Sequence, residues 1–209
     1  MTLPVPTLRR FTPGTTGWTE DDLDDPGIER LWHRGGYEII EGVLTKMPAA
    51  YLDGSLPLRR LVRQVERQLE QRSIAGEFAF EVDLVINQIR IPVVDAVFLT
   101  QAQMEQQGAI QGARKSRRSL RYGRLRVAPE LIIESISPGH ELHDRQTKRE
   151  WYREFGVSNY WLFDAYRRTL ECLHLKDGVY RTDVAGKDQD EISPVMFGGI
   201  SLVLSKVWM

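Results

Sequence analysis

The chain has 209 residues, 42% of them hydrophobic and 27% charged, which suits one globular domain with a sizeable core. Its 28 basic and 29 acidic side chains leave a formal net charge of −1, excluding a strong overall field toward nucleic acid or membrane; any such attraction must be local. The single Cys172 excludes an intrachain disulfide and a thiolate zinc site and points to a reducing compartment.

The start, MTLPVPTLRRF, lacks the apolar centre of a signal peptide, and no later stretch reaches about 18 uninterrupted apolar residues. The expectation is a cytoplasmic protein with no membrane partner. The first forty residues are rich in Pro, Gly, Thr and Asp, and residues 1–36 read as an arm packed onto a domain spanning 37–209. GGYEIIEGVLTKM then alternates as an edge hairpin that turns at Glu41-Gly42. Leu58, Leu61, Val62, Val65 and Leu69 follow helical spacing from Pro57 to Ser73, with Pro57 suited to a first helical position. The remaining face carries Arg59, Arg60, Arg63, Arg67 and Arg72, either a solvated surface or one that tracks phosphates.

Strands are expected over about 78–86, 91–99 and 130–136. The second and third read IPVVDAVFL and PELIIESI, and in each an apolar run is broken by one carboxylate, Asp95 or Glu134. A lone buried carboxylate is costly unless something compensates it. Between these strands, 100–128 reads as irregular and ends in ARKSRRSLRYGRLR, with seven basic residues from Arg114 to Arg126 and no acid. This run reads either as a local nucleic-acid contact or as solvated structure whose arginines meet acids elsewhere. A helix over 141–155, closed by Gly156, places Lys148 one turn beyond Asp144, with Tyr152 and Phe155 along a similar face. SNYWLFD, TLECLHL and GVYRTDV complete a meander with turns at Ala165 to Arg168 and Lys176-Asp177-Gly178. The whole is an α/β domain, a mixed sheet flanked by helices whose parallel connection passes through helix 141–155.

Two acids on adjacent strands and a lysine on the following helix suit metal-dependent phosphodiester hydrolysis. Mg2+ prefers oxygen ligands, and two carboxylates can hold it while leaving positions for water and a phosphate oxygen. A nearby ammonium stabilises charge in the transition state.

The order YEIIEGVL, VVDAVFL, PELIIESISPG, D-x-x-x-K, GVSNYWLFD and SPVMFGGISL resembles the Uma family of restriction-endonuclease-like proteins, in the PD-(D/E)XK superfamily, over about residues 37 to 205. The resemblance implies a restriction-endonuclease-like fold and a Mg2+- or Mn2+-dependent endonuclease acting on DNA. By it, Asp95 and Glu134 are the metal-binding and catalytic acids and Lys148 is the catalytic lysine, moved to the helix from the position that Ile136 occupies here. Val94 stands where the first acid is usually preceded by proline, PAAYLDGSLP lacks a histidine often found there, and ARKSRRSLRYGRLR looks like an insertion. The competing class is a non-catalytic nucleic-acid-binding or assembly protein on the same fold, and a homodimer is the default oligomer.

Other residues have simpler readings. Asp83 and Glu41 are candidate outer acids for which structural roles are favoured. His140 and His143 read as surface histidines, and Trp161 as sheet packing.

Overall fold

The computed structural model describes residues 11–47, 52–114, 123–136 and 142–208, with the backbone alone for 52, 53 and 111–114. After a short helix α1 (Pro26–Trp32) comes a hairpin of β1 (Tyr37–Ile40) and β2 (Val43–Lys46), then helix α2 (Leu52–Gln71) and strands β3 (Gly76–Asp83) and β4 (Val93–Thr100). Helix α3 (Gln101–Arg114) and strand β5 (Leu131–Ser135) follow, then a π-helical turn His143–Lys148 that runs into α4 (Arg149–Phe155). Strands β6 (Asn159–Asp164), β7 (Thr169–Lys176) and β8 (Val179–Lys187) form the meander, and β9 (Glu191–Ile192) pairs with β10 (Leu202–Val203) near the end of the described chain.

One six-stranded sheet, in the order β3-β4-β5-β6-β7-β8, organises these pieces, antiparallel throughout except where β5 and β6 run parallel. That parallel pair requires a crossover, and the segment carrying α4 supplies it. Every residue of β6 is buried, because both sheet faces are covered. Trp161 and Phe163 point to one face, with Ala96, Phe98, Leu131 and Ile133, against Leu58, Leu61, Val62, Val65 and Leu69 of α2. Tyr160 and Leu162 point to the other, with Val97 and Ile132, against Tyr152 of α4. A third cluster joins Trp18, Leu23, Ile28 and Trp32 to Ile39 and Leu44 of the hairpin and to Val85 and Ile91.

The hairpin turns at Glu41 (φ 50°) and Gly42 (φ 74°), the left-handed pair that suits a tight turn between twisted strands. It is anchored to the main sheet through its first strand. Ile39 and Ile91 exchange backbone hydrogen bonds of 3.1 and 2.8 Å, laying β1 across the entry to β4.

Two stretches differ from their sequence patterns. Helix α2 starts at Leu52 rather than Pro57, which lies inside it. Proline's fixed φ is helical, and the one bond it forgoes, to the residue-53 carbonyl, lies at the weakly bonded first turn. The stretch read as irregular contains the 14-residue α3. Its start is a reciprocal cap: Gln103 N–H donates to Thr100 Oγ1 (3.3 Å) and Thr100 N–H to Gln103 Oε1 (3.0 Å).

Candidate functional site

Strand pairing brings the two candidate acids together. Ala96 lies opposite Ile133 and Val97 opposite Ile132, so one further step in this register sets Asp95 beside Glu134. Because alternate residues share a face, Asp95 follows Val97, and Glu134 follows Ile132, to the face covered by α4. Glu134 is 2% exposed, Asp95 is partly exposed, and the two carboxyl groups are within hydrogen-bonding reach of each other. The Ser135 amide donates to Asp95 Oδ2 at 2.7 Å, fixing Asp95 to the end of the neighbouring strand.

The crossover segment supplies the cation. Lys148 is buried, with its ammonium 3.2 Å from Glu134 Oε1 and 3.7 Å from Asp144 Oδ1. Sequence spacing anticipated the Asp144 contact, and the fold adds Glu134. The π-helical turn His143–Lys148 carries both residues, a local widening of the helix that recurs at functional sites. One turn later the Tyr152 hydroxyl donates to Glu134 Oε1 at 2.5 Å, and Tyr160 donates to the Asp144 carbonyl at 3.0 Å. Gly156, at φ 89°, ends the helix in the left-handed conformation expected of its cap. Arg145 and Arg149 turn to Glu171 and to the Tyr180 carbonyl instead.

A fourth acid was not anticipated. Glu38 of β1 is 1% exposed; its Oε1 accepts from the Val93 amide at 2.9 Å and lies 3.2 Å from Lys148 Nζ. Its Oε2 is buried with no hydrogen-bond partner among the described residues. A glutamate in the alternating YEII reads as the outward residue of an edge strand. The docking of the hairpin over β4 reverses that.

Four carboxylates, from Glu38, Asp95, Glu134 and Asp144, therefore act on the one ammonium of Lys148. Burial pushes the Asp95 carboxyl above its ordinary pKa, against the lowering effect of Lys148 and of the Ser135 amide. Burial likewise holds Glu134 well above the usual range; Lys148 opposes the shift while Asp95 and Asp144 reinforce it. Burial disfavours the charge of Lys148, yet Glu134, Glu38, Asp144 and Asp95 together outweigh it and raise its pKa. Lys148 is thus a firmly protonated donor. Tyr152, raised well above its usual value by burial and then by Glu134, stays a neutral phenol able to donate.

An excess of buried carboxylate over ammonium, with one oxygen left unpartnered, is the chemistry that a divalent cation would balance. Among the described residues no three His, Cys, Asp or Glu side chains converge at metal-ligand spacing, and the Lys148 ammonium lies 3.2 Å from Glu38 and from Glu134 and 3.7 Å from Asp144. The two-carboxylate set of Asp95 and Glu134 fits an ion that keeps several waters.

The remaining candidates take structural places. Asp83 accepts from Trp32 Nε1 at 2.8 Å, and Glu41 pairs with Arg90 at 2.7 Å. The His143 ring meets Trp151 edge-on, with centroids 5.7 Å apart; His140 lies outside the described residues. Trp161 is in the core. On α2, Arg60 and Arg72 donate to backbone carbonyls of the C-terminal segment, at Val207 and at Phe197 to Gly199. Of the basic run, Arg124 is buried against Asp24 and the Leu23 carbonyl, and Arg126 pairs with Glu20. Those two arginines meet acids, whereas residues 115–122 lie outside the described residues.

Residues 30–205 match the model of the Uma2 family, described as "putative restriction endonuclease". No curated protein matches the chain. A crystal structure from Anabaena variabilis, described as a putative nuclease belonging to DUF820, is similar with a TM-score of 0.62 at 15% identity, over 84% of this chain and 90% of that one. At that identity the likeness shows a shared fold. Among the described residues, no helix is long and apolar enough to cross a membrane.

Proposed function

Because the chain belongs to the Uma2 family of restriction-endonuclease-like proteins, we propose that it is an endonuclease that hydrolyses phosphodiester bonds of DNA with Mg2+ or Mn2+. The observation that carries this reading is the convergence of Asp95, Glu134 and Lys148 at one end of adjacent strands, in a cluster with more carboxylate than ammonium. Asp95 and Glu134 would hold the ion, whose chemistry is to polarise the scissile phosphate and lower the pKa of a bound water. Glu134 is kept in place by Tyr152 and Lys148, and Asp95 by the Ser135 amide. Lys148, protonated by its carboxylate surroundings, serves as a donor to negative charge developing on the phosphoryl group and is unsuited to accept a proton.

The basic residues from Arg114 to Arg121, which carry no acid among them, support a DNA partner through their contribution of local positive charge to a balanced chain, whereas Arg124 and Arg126 are already paired with acids. The test is cleavage of supercoiled plasmid in Mg2+ or Mn2+ against EDTA, with Asp95→Asn as the control. Nicking or linearisation that needs the ion and Asp95 is the expected result. DNA retained without cutting assigns the protein to the non-catalytic binding class.

A further inference from the structure

The hairpin contributes a residue that the three-residue motif leaves out. Glu38 is 1% exposed, yet it carries an oxygen, Oε2, without a hydrogen-bond partner among the described residues. Buried polar atoms are nearly always satisfied, so an orphaned carboxylate oxygen beside three other carboxylates calls for a partner. The other oxygen is committed to the Val93 amide (2.9 Å) and to Lys148 (3.2 Å). Val93 begins the strand that carries Asp95 two residues on, so Glu38 is tied at once to the metal-acid strand and to the lysine.

We infer that Glu38 is a further carboxylate of the cation site, a positioning residue that holds Lys148 through Oε1 and offers Oε2 to the hydration of a divalent ion. This rests on the proposed function. Purely structural placement would give the opposite energetics: a glutamate kept to pin the hairpin should stabilise the ion-free protein, whereas one whose second oxygen is kept for a cation leaves that buried oxygen unpartnered, and the cluster with more carboxylate than ammonium, until the ion arrives.

The experiment is Glu38→Gln in the full chain, with Mn2+ affinity measured by calorimetry without DNA and thermal unfolding measured in EDTA. The expected result is Mn2+ binding weakened by roughly 10- to 100-fold, the scale for removing a group that supports metal ligands, with an unfolding midpoint equal to or above that of the parent. Parental Mn2+ affinity in Glu38→Gln, while Asp95→Asn loses it, would overturn the role of Glu38 and leave the nuclease reading standing. Absence of Mn2+ binding by the parent would overturn both. Should Glu38→Gln not fold, Mg2+ titration of the parent protein followed by carboxyl-carbon NMR decides: a Glu38 Cδ shift with the midpoint of Asp95 Cγ supports the inference, and an unmoved Glu38 signal defeats it.

Discussion

The Tyr152 hydroxyl and the Lys148 ammonium donate to the same oxygen, Glu134 Oε1, at 2.5 and 3.2 Å. Two donors from successive helical turns thus fix one face of a buried carboxylate. Tyr152→Phe removes one donor while keeping the ring and its edge-on contact with Tyr160. The expected outcome is a folded protein whose cleavage rate and Mn2+ affinity fall by roughly 10-fold or more, as for other groups that orient metal ligands. Plasmid nicking and calorimetry check it.

Lys148→Met separates two effects. With a surface lysine the fold would survive unchanged, but burial among Glu134, Glu38 and Asp144 makes the ammonium structural as well. Unpairing buried carboxylates costs about 3–5 kcal/mol, so a lower urea midpoint is expected. Cleavage should fall by orders of magnitude even under conditions where circular dichroism shows the variant fully folded. A folded variant that cuts at the parental rate would remove Lys148 from the reaction.

Asp95→Asn should behave differently. An asparagine oxygen can still accept from the Ser135 amide, and one buried negative charge is lost from a cluster that has too many. The ion-free variant is therefore expected to unfold at or above the parental temperature, while cleavage and Mn2+ binding disappear. A clear loss of ion-free stability would show that Asp95 belongs to the scaffold.

Asp95 and Glu134 both have raised pKa values in the folded protein, from burial first. The folded state therefore binds their protons more tightly than the unfolded chain does. Their contribution to stability is complete below about pH 4 and is lost as the pH rises through the folded-state values. In EDTA, the stability of the parent relative to the Asp95→Asn, Glu134→Gln double variant should decline from pH 4 toward neutrality, and Mg2+ should restore it at pH 7. A difference that stays flat with pH would mean that neither acid is perturbed.

The basic run divides into two experiments. Arg124→Met breaks the buried contacts with Asp24 and Leu23 and should destabilise the protein by about 3 kcal/mol in urea denaturation. Replacing Arg117, Arg118 and Arg121 with Ser should weaken DNA binding for all sequences alike and flatten its salt dependence. Unchanged binding across a salt titration would assign those three to another role.

Legibility in the sequence followed the range of the interactions. Alternation and turn residues located the meander and the hairpin because those patterns are local, and the parallel crossover follows from strand, helix, strand. The position of Lys148 relative to Asp144 was readable from helical spacing. Its burial was not, since burial depends on strand pairing that brings Glu134 to meet it. Glu38 was hidden for the same reason: of the two hairpin glutamates, Glu41 drew attention as a candidate, but it sits in the turn and pairs with Arg90. The cap of α3 is local, Thr100-x-x-Gln103, but the glycines and basic residues beyond it dominate the pattern of the segment and mask the helix.

The carboxylates and the lysine come from the hairpin, from β4, from β5 and from the crossover helix, so the cluster spans the chain from Glu38 to Tyr152. No fragment emerging from a ribosome can assemble it before that last turn has been made and the hairpin has closed over β4. A chain cut short before the crossover helix carries the first acids without the ammonium that holds them. The order of synthesis thus defers assembly of the whole cluster until the crossover helix has emerged, whatever chemistry the cluster performs.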